Sequence, residues 1–106
     1  LQPIEIHFYN LGDTATHEVG HWAGVMRADG RNAMGTVTLK AYRPSTHLYE
    51  TIATFQIGAT YQNHTFPVSV ADYISADKRN ACFVLMFTPG NSSTAGFTLN
   101  SMQYTE

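Results

Sequence analysis

The 106-residue chain predicts an all-β fold of antiparallel strands, a sandwich or a barrel, on three observations. Apolar and polar residues alternate at period two in one short segment after another, and clusters of Gly, Pro, Asn and Asp punctuate them at regular intervals. After Gly30 no stretch long enough for a helix carries a helical stripe. Charge is also scarce, with 13% of residues Asp, Glu, Lys or Arg, against about 25% in a typical soluble domain. Thr, Ser, Asn, Gly and Tyr supply the surface instead, a composition common in β-rich extracellular and virion proteins. The expected location is therefore extracellular, at a cell surface or on a virion.

Ile4, Ile6 and Phe8 alternate with Glu5, His7 and Tyr9 in a first strand, which Asn10-Leu11-Gly12-Asp13 ends. The segment from Val19 to Ala28 is divided. Val19, Trp22, Ala23 and Met26 fall at i, i+3, i+4 and i+7, as on a helix capped by Asp13 or Thr14. Against a helix, Gly20 and Gly24 would each cost about 1 kcal/mol relative to alanine, and a strand puts Trp22, Gly24, Met26 and Ala28 on one face. The all-β remainder favours the strand, with Gly20 and Gly24 relieving packing around a core Trp22.

A turn-rich Ala28-Asp29-Gly30-Arg31-Asn32 follows, then a half-buried strand in which Val37, Leu39 and Ala41 alternate with Thr36, Thr38, Lys40 and Tyr42. Arg43-Pro44-Ser45-Thr46 breaks it, and Ala53, Phe55 and Ile57 alternate up to Gly58 as its antiparallel neighbour. Phe66, Val68 and Val70 form a strand whose Pro67 points outward, a placement suited to a sheet edge. Asp72-Tyr73-Ile74-Ser75 reads as a turn. The run Ala81 to Phe87 is apolar on both faces, as in a central strand covered on two sides, and Thr88-Pro89-Gly90-Asn91 closes it. In the last strand Phe97 and Leu99 lie on one parity and Met102 and Tyr104 on the other, which predicts a bulge near Asn100 or Ser101.

At this length the chain is one domain with enough residues to bury a core, and 43% hydrophobic content is ordinary for a globular fold. It opens on Leu1 rather than methionine, so we expect a piece excised from a larger protein. No span of eighteen apolar residues occurs, and membrane insertion by a helix is not expected. A net charge of −2 offers no electrostatic footprint for nucleic acid. The single cysteine, Cys82, sits in an apolar run as a small buried hydrophobe. Asn63-His64-Thr65 and Asn91-Ser92-Ser93 fit the glycosylation sequon.

His17-Glu18-Val19-Gly20-His21-Trp22-Ala23-Gly24 spells HExxHxxG and resembles the zinc signature of the metzincin peptidases. On a helix His17 and His21 would hold Zn²⁺ while Glu18 activates water. The position of that family's third ligand is Arg27, which has no lone pair to offer, and only 16 residues precede the motif. A small zinc metallopeptidase using His17, Glu18 and His21 is the alternative function. The strand reading predicts instead that Glu18 and His21 lie on opposite faces.

From Gly35 onward, Gly-Thr-Val-Thr-Leu-Lys-Ala-Tyr, then Tyr61 to Val70, Cys82 to Thr88 and the closing phrase Gly96 to Thr105 resemble the jelly-roll carbohydrate-binding, galactose-binding-like modules over about two-thirds of the chain. The resemblance implies a jelly-roll antiparallel β-sandwich and a non-catalytic module that binds carbohydrate. It also implies a structural Ca²⁺ held by Glu5 and by an aspartate where this chain has Asn100; an amide supplies no charge there, so no metal or other cofactor is expected.

Sugar binding asks for an exposed aromatic face and a few amides or carboxylates for the hydroxyls. Tyr49, Tyr61, Asn63 and Asn91 are the candidate ligand-binding residues, Asn91 because members of the resembled family carry a ligand-contacting asparagine in the loop before the last strand. Tyr42 and Tyr73 are further aromatics in or beside loops. The expected partner is a glycan or cell-surface carbohydrate, met by a module of an extracellular enzyme or by a viral or phage attachment domain. An attachment head would be a homotrimer. A structural spacer without ligand is the blander alternative.

Overall fold

A computed structural model of the chain describes residues 3–9, 19–69, 81–90 and 95–105. They form β1 (Ile4–Phe8), β2 (Val19–Asp29), β3 (Gly35–Arg43), β4 (Leu48–Ile57), β5 (Gln62–Ser69), β6 (Phe83–Pro89) and β7 (Gly96–Thr105). Two sheets result, one in the order β1-β6-β3-β4 and the other β5-β2-β7, and every pairing is antiparallel. Among the described strands, only the connection from β3 to β4 stays within one sheet. Each other connection crosses to the opposite sheet, and this wrapping closes the jelly-roll β-sandwich.

The period-two pattern explains which side of each strand is buried. Val37, Leu39 and Ala41 of β3 line up with Phe87, Leu85 and Phe83 of β6 and face Trp22, Met26 and Ala28 of β2 across the interior, all essentially without solvent contact. Aromatic pairs bridge the two sheets: Phe83 with Tyr104 at 5.5 Å, Phe87 with Phe97 at 5.0 Å and Phe55 with Phe66 at 5.2 Å between ring centroids.

β2 is a strand along its whole described length, central in its sheet between β5 and β7. His21 is accordingly exposed on the outer face, while Trp22 is fully buried on the inner one. His17 and Glu18 lie outside the described residues, and with them the expected opposition of Glu18 and His21. Gly24 makes room for Trp22 as expected, since a Cβ there would meet the indole and the Met26 methyl. Gly20 does not serve Trp22. Its absent Cβ is where the Tyr104 phenol packs.

Several boundaries differ from the sequence reading. β1 ends at Phe8, one residue early. β4 begins at Leu48 rather than Ala53, because an extra residue between its Thr51 and Ala53 pairings with β3 shifts the parity and hides the alternation. β5 begins at Gln62 rather than Phe66, its polar start held by pairing with Met26 and Val25. The apolar run after Ala81 enters the sheet at Phe83 and is central between β1 and β3. Its outward Val84 is buried while Met86 is only half-buried, so the second face is covered at one end only. The β7 bulge is where the parity slip put it: Ser101 pairs with Val25 and Leu99 with Met26, leaving Asn100 between them. Pro67 is exposed on an edge strand, also as expected. The turns at Asn10–Asp13 and Asp72–Ser75 lie outside the described residues.

Candidate ligand-binding site

Among the described residues, the outer face of the three-stranded sheet carries a band of hydroxyl, amide and charged side chains. Along β2 the outward side chains are His21, Ala23, Val25, Arg27 and Asp29, each half-buried or exposed. β5 places Pro67, Thr65 and Asn63 beside His21, Ala23 and Val25, and β7 places Thr105, Gln103 and Ser101 on the other side of the same three residues. The centre of the face is thus small and apolar, and both flanks carry hydroxyls and amides. Asn63 Nδ2 donates a long 3.4 Å hydrogen bond to Thr65 Oγ1, which leaves its amide oxygen for other donors.

At one end of this face four side chains, from β2, β7 and the residue just before β5, are tied together. The Arg27 guanidinium lies over the Tyr61 ring, 4.6 Å from its centroid, a cation–π contact that fixes an exposed aromatic. Arg27 Nε donates to Asp29 Oδ1 at 3.3 Å, and Thr98 Oγ1 of β7 lies 2.8 and 2.7 Å from the two Asp29 carboxylate oxygens. Arg27 and Asp29 are 43% and 38% exposed, so the network is open to a ligand. The cation and the anion offset one another locally. Planar polar groups beside an aromatic ring suit a neutral polyhydroxylated ligand, whose hydroxyls both donate and accept.

Two of the four expected ligand residues, Tyr61 and Asn63, meet on this face. Tyr49 does not join them. It lies at the start of β4, paired with Tyr42, on the outer face of the opposite sheet and at the opposite end of the sandwich. Its hydroxyl donates to the Ala81 carbonyl at 2.8 Å, and burial, aided by the neighbouring Tyr9 hydroxyl, pushes that phenol above its usual value. Asn91 and Tyr73 lie outside the described residues. Arg27, Asp29 and Thr98 were missed as candidates. Alternation along β2 already put Arg27 and Asp29 on the same side as His21, but only the pairing of β2 with its two neighbours shows Tyr61 and Thr98 arriving there.

Glu5 and Asn100, the positions implied for calcium, sit on strands of different sheets, and Glu5 Oε1 is engaged 3.1 Å from His7 Nε2. Among the described residues, no group of three or more His, Cys, Asp or Glu is arranged to hold a metal ion.

The described strands thus form a two-sheet jelly roll whose three-stranded sheet presents a polar, aromatic-edged outer face. No family model matches the chain, and no curated protein matches it. By structure it is similar to the crystal structure of a non-crystalline cellulose specific carbohydrate-binding module, CBM28, with a TM-score of 0.50 and 11% sequence identity over 98% of this chain and 66% of that one. The chain therefore spans just under two-thirds of that module's length. At such low identity the likeness is one of fold, and the β-sandwich is the fold that the sequence implied.

Proposed function

We propose that this chain is a non-catalytic carbohydrate-recognition module that holds a neutral glycan on the outer face of β5-β2-β7, outside the cell, as part of an extracellular enzyme or at a cell or virion surface. The observation that carries the reading is the tethered set Tyr61, Arg27, Asp29 and Thr98, an exposed aromatic ring and hydrogen-bonding groups pre-positioned by one another. Pre-positioning matters because ordering a free side chain at an interface costs about 0.5–1.5 kcal/mol. Beyond this cluster the small Ala23 and Val25 leave room between the flanking Asn63, Thr65, Ser101 and Gln103, which would take the hydroxyls of further sugar units. The fold of the CBM28 module supports the same class of ligand. Scarce charge over the whole chain supports an extracellular setting.

The test is binding to a glycan array and to soluble polysaccharides by affinity electrophoresis, with Tyr61→Ala, Arg27→Ala and Asn63→Ala beside the wild type. A pyranose stacked on a tyrosine removes on the order of 60 Å² of apolar surface from water, about 1.5 kcal/mol, so Tyr61→Ala should weaken binding roughly tenfold. Binding that survives all three substitutions unchanged would move the site elsewhere. Failure of the wild-type chain to bind any glycan would leave the spacer reading.

A further inference from the structure

We propose that Tyr49 belongs to a second carbohydrate-binding platform, on the outer face of the four-stranded sheet, so that the module holds two glycan chains at once. The inference rests on the carbohydrate reading for its class of ligand and on separate residues for its site. Tyr49 stands on β4, at the edge of the sheet, yet its hydroxyl bonds the carbonyl of Ala81 at the entrance to β6, on the far side of β3. A tyrosine side chain spans that gap only by lying across the sheet. Beneath it Tyr42 is buried, 5.2 Å away between centroids and tilted by 60°, and the Tyr42 hydroxyl shares a 3.1 Å hydrogen bond with His47 Nδ1. The Tyr49 ring is thereby fixed in place with 38% of the residue still exposed, and the Tyr9 phenol, 49% exposed just past the end of β1, is among the groups that raise the Tyr49 phenol above its usual value. An immobilised, part-exposed aromatic ring is the group that stacks on the apolar face of a pyranose.

The two platforms cannot serve one ligand. From Tyr49 to Ile57 β4 advances roughly 26 Å at about 3.3 Å per residue, and the two sheets of a sandwich lie about 10 Å apart. Tyr61 follows the end of β4 on the other sheet, in a molecule 42 Å long and 17 Å thick. A straight oligosaccharide lying on one outer face reaches nothing on the other. Two independent sites make the module a cross-linker of polysaccharide chains, or let it hold its own ligand on one face and a matrix glycan on the other.

The experiment is calorimetric titration of the full chain with β-1,4-linked hexasaccharides of glucose, xylose and mannose, using wild type, Tyr49→Ala, Tyr61→Ala and the double variant. We expect two hexasaccharides per chain for the wild type, one for either single variant and none for the double. The site retained in each single variant reports that the fold is intact. Tyr49→Phe, which keeps the ring and loses the bond to Ala81, should keep two sites with the second weakened. One hexasaccharide per chain with Tyr49→Ala unchanged overturns the second platform and leaves the first reading standing. One per chain, lost in Tyr49→Ala and kept in Tyr61→Ala, overturns the first reading and puts the single site on the four-stranded sheet. No binding by the wild type to any of the three overturns both.

Discussion

Replacing Gly24 by alanine should destabilise the fold, and the size of the effect follows from where the Trp22 ring lies. Glycine in a strand costs conformational entropy, so alanine at a permissive site would gain about 0.5–1 kcal/mol. Here the new methyl would collide with the outer edge of the indole and come within 3.0 Å of the Met26 methyl. Met26 can move, but Trp22 is rigid, fully buried and in contact with Phe66. Nor can β2 shift, because β5 and β7 hold it on both sides. Overpacking costs about 1–3 kcal/mol, and against a ring that cannot move the upper half of that range applies, which leaves a net loss of about 1–2.5 kcal/mol. For a domain of this size each kcal/mol moves Tm by about 4–8 °C, so a fall of about 4–20 °C is expected in a circular dichroism melt, with Trp22 fluorescence as an independent probe. Gly58→Ala is the control, since its Cβ would meet nothing within 4 Å, and its Tm should hold or rise. A Gly24→Ala protein as stable as the wild type would refute the placement of Trp22 over Gly24, and with it the strand assignment of the HExxH-like segment.

Two further outcomes are expected. Burial holds His64 below its ordinary value of 6.5. Its Nε2 finds no hydrogen-bond partner and its ring stacks 4.2 Å from that of Phe55, so the folded state prefers the neutral ring. The unfolded chain takes up the proton first as pH falls below about 6.5, so stability drops from there and levels off once the folded-state value is passed. His64→Phe should shrink the difference in Tm between pH 7.5 and pH 5, and an unchanged difference would clear His64 of the effect. Asp29→Asn weakens the tie between Arg27 and Thr98 at a part-exposed site, so glycan binding should fall several-fold while stability shifts by no more than about 0.5 kcal/mol; equal losses in both would mark Asp29 as structural.

The sequence showed the layers of this fold well and the assembly of its site poorly, for one physical reason. Period-two alternation separates inside from outside on each strand, so Val37, Leu39 and Ala41, the outward Pro67 and the phase slip at Asn100 were readable from local pattern alone. Which strands lie side by side is decided by the whole core, and no local pattern carries it. Tyr49 and Tyr61 therefore looked equivalent in the sequence, two tyrosines flanking one strand, although β4 takes them to opposite ends and opposite faces. Where the pattern failed locally, as at the start of β4, an extra residue in the ladder had broken the alternation that would have revealed the strand.

Scarce charge acquires a structural meaning once the ion pairs are placed. Each carboxylate among the described residues has a basic neighbour: Glu5 has His7, Asp29 has Arg27 and Glu50 has Arg43 at 2.7 Å. Pairs this exposed contribute little to stability. They do hold planar polar side chains in fixed orientations, and in the Asp29–Arg27 and Glu50–Arg43 pairs the opposite charges offset one another locally. Arg27 illustrates the difference: without Asp29 it would be a mobile cation suited to an anionic ligand, and with Asp29 on one side and the Tyr61 ring below it becomes an oriented donor beside an aromatic face. Affinity for a neutral polyol has to come from such oriented dipoles and stacked rings, because the ligand brings no charge of its own. The pairing of charge beside the Tyr61 ring therefore supports the proposed neutral ligand.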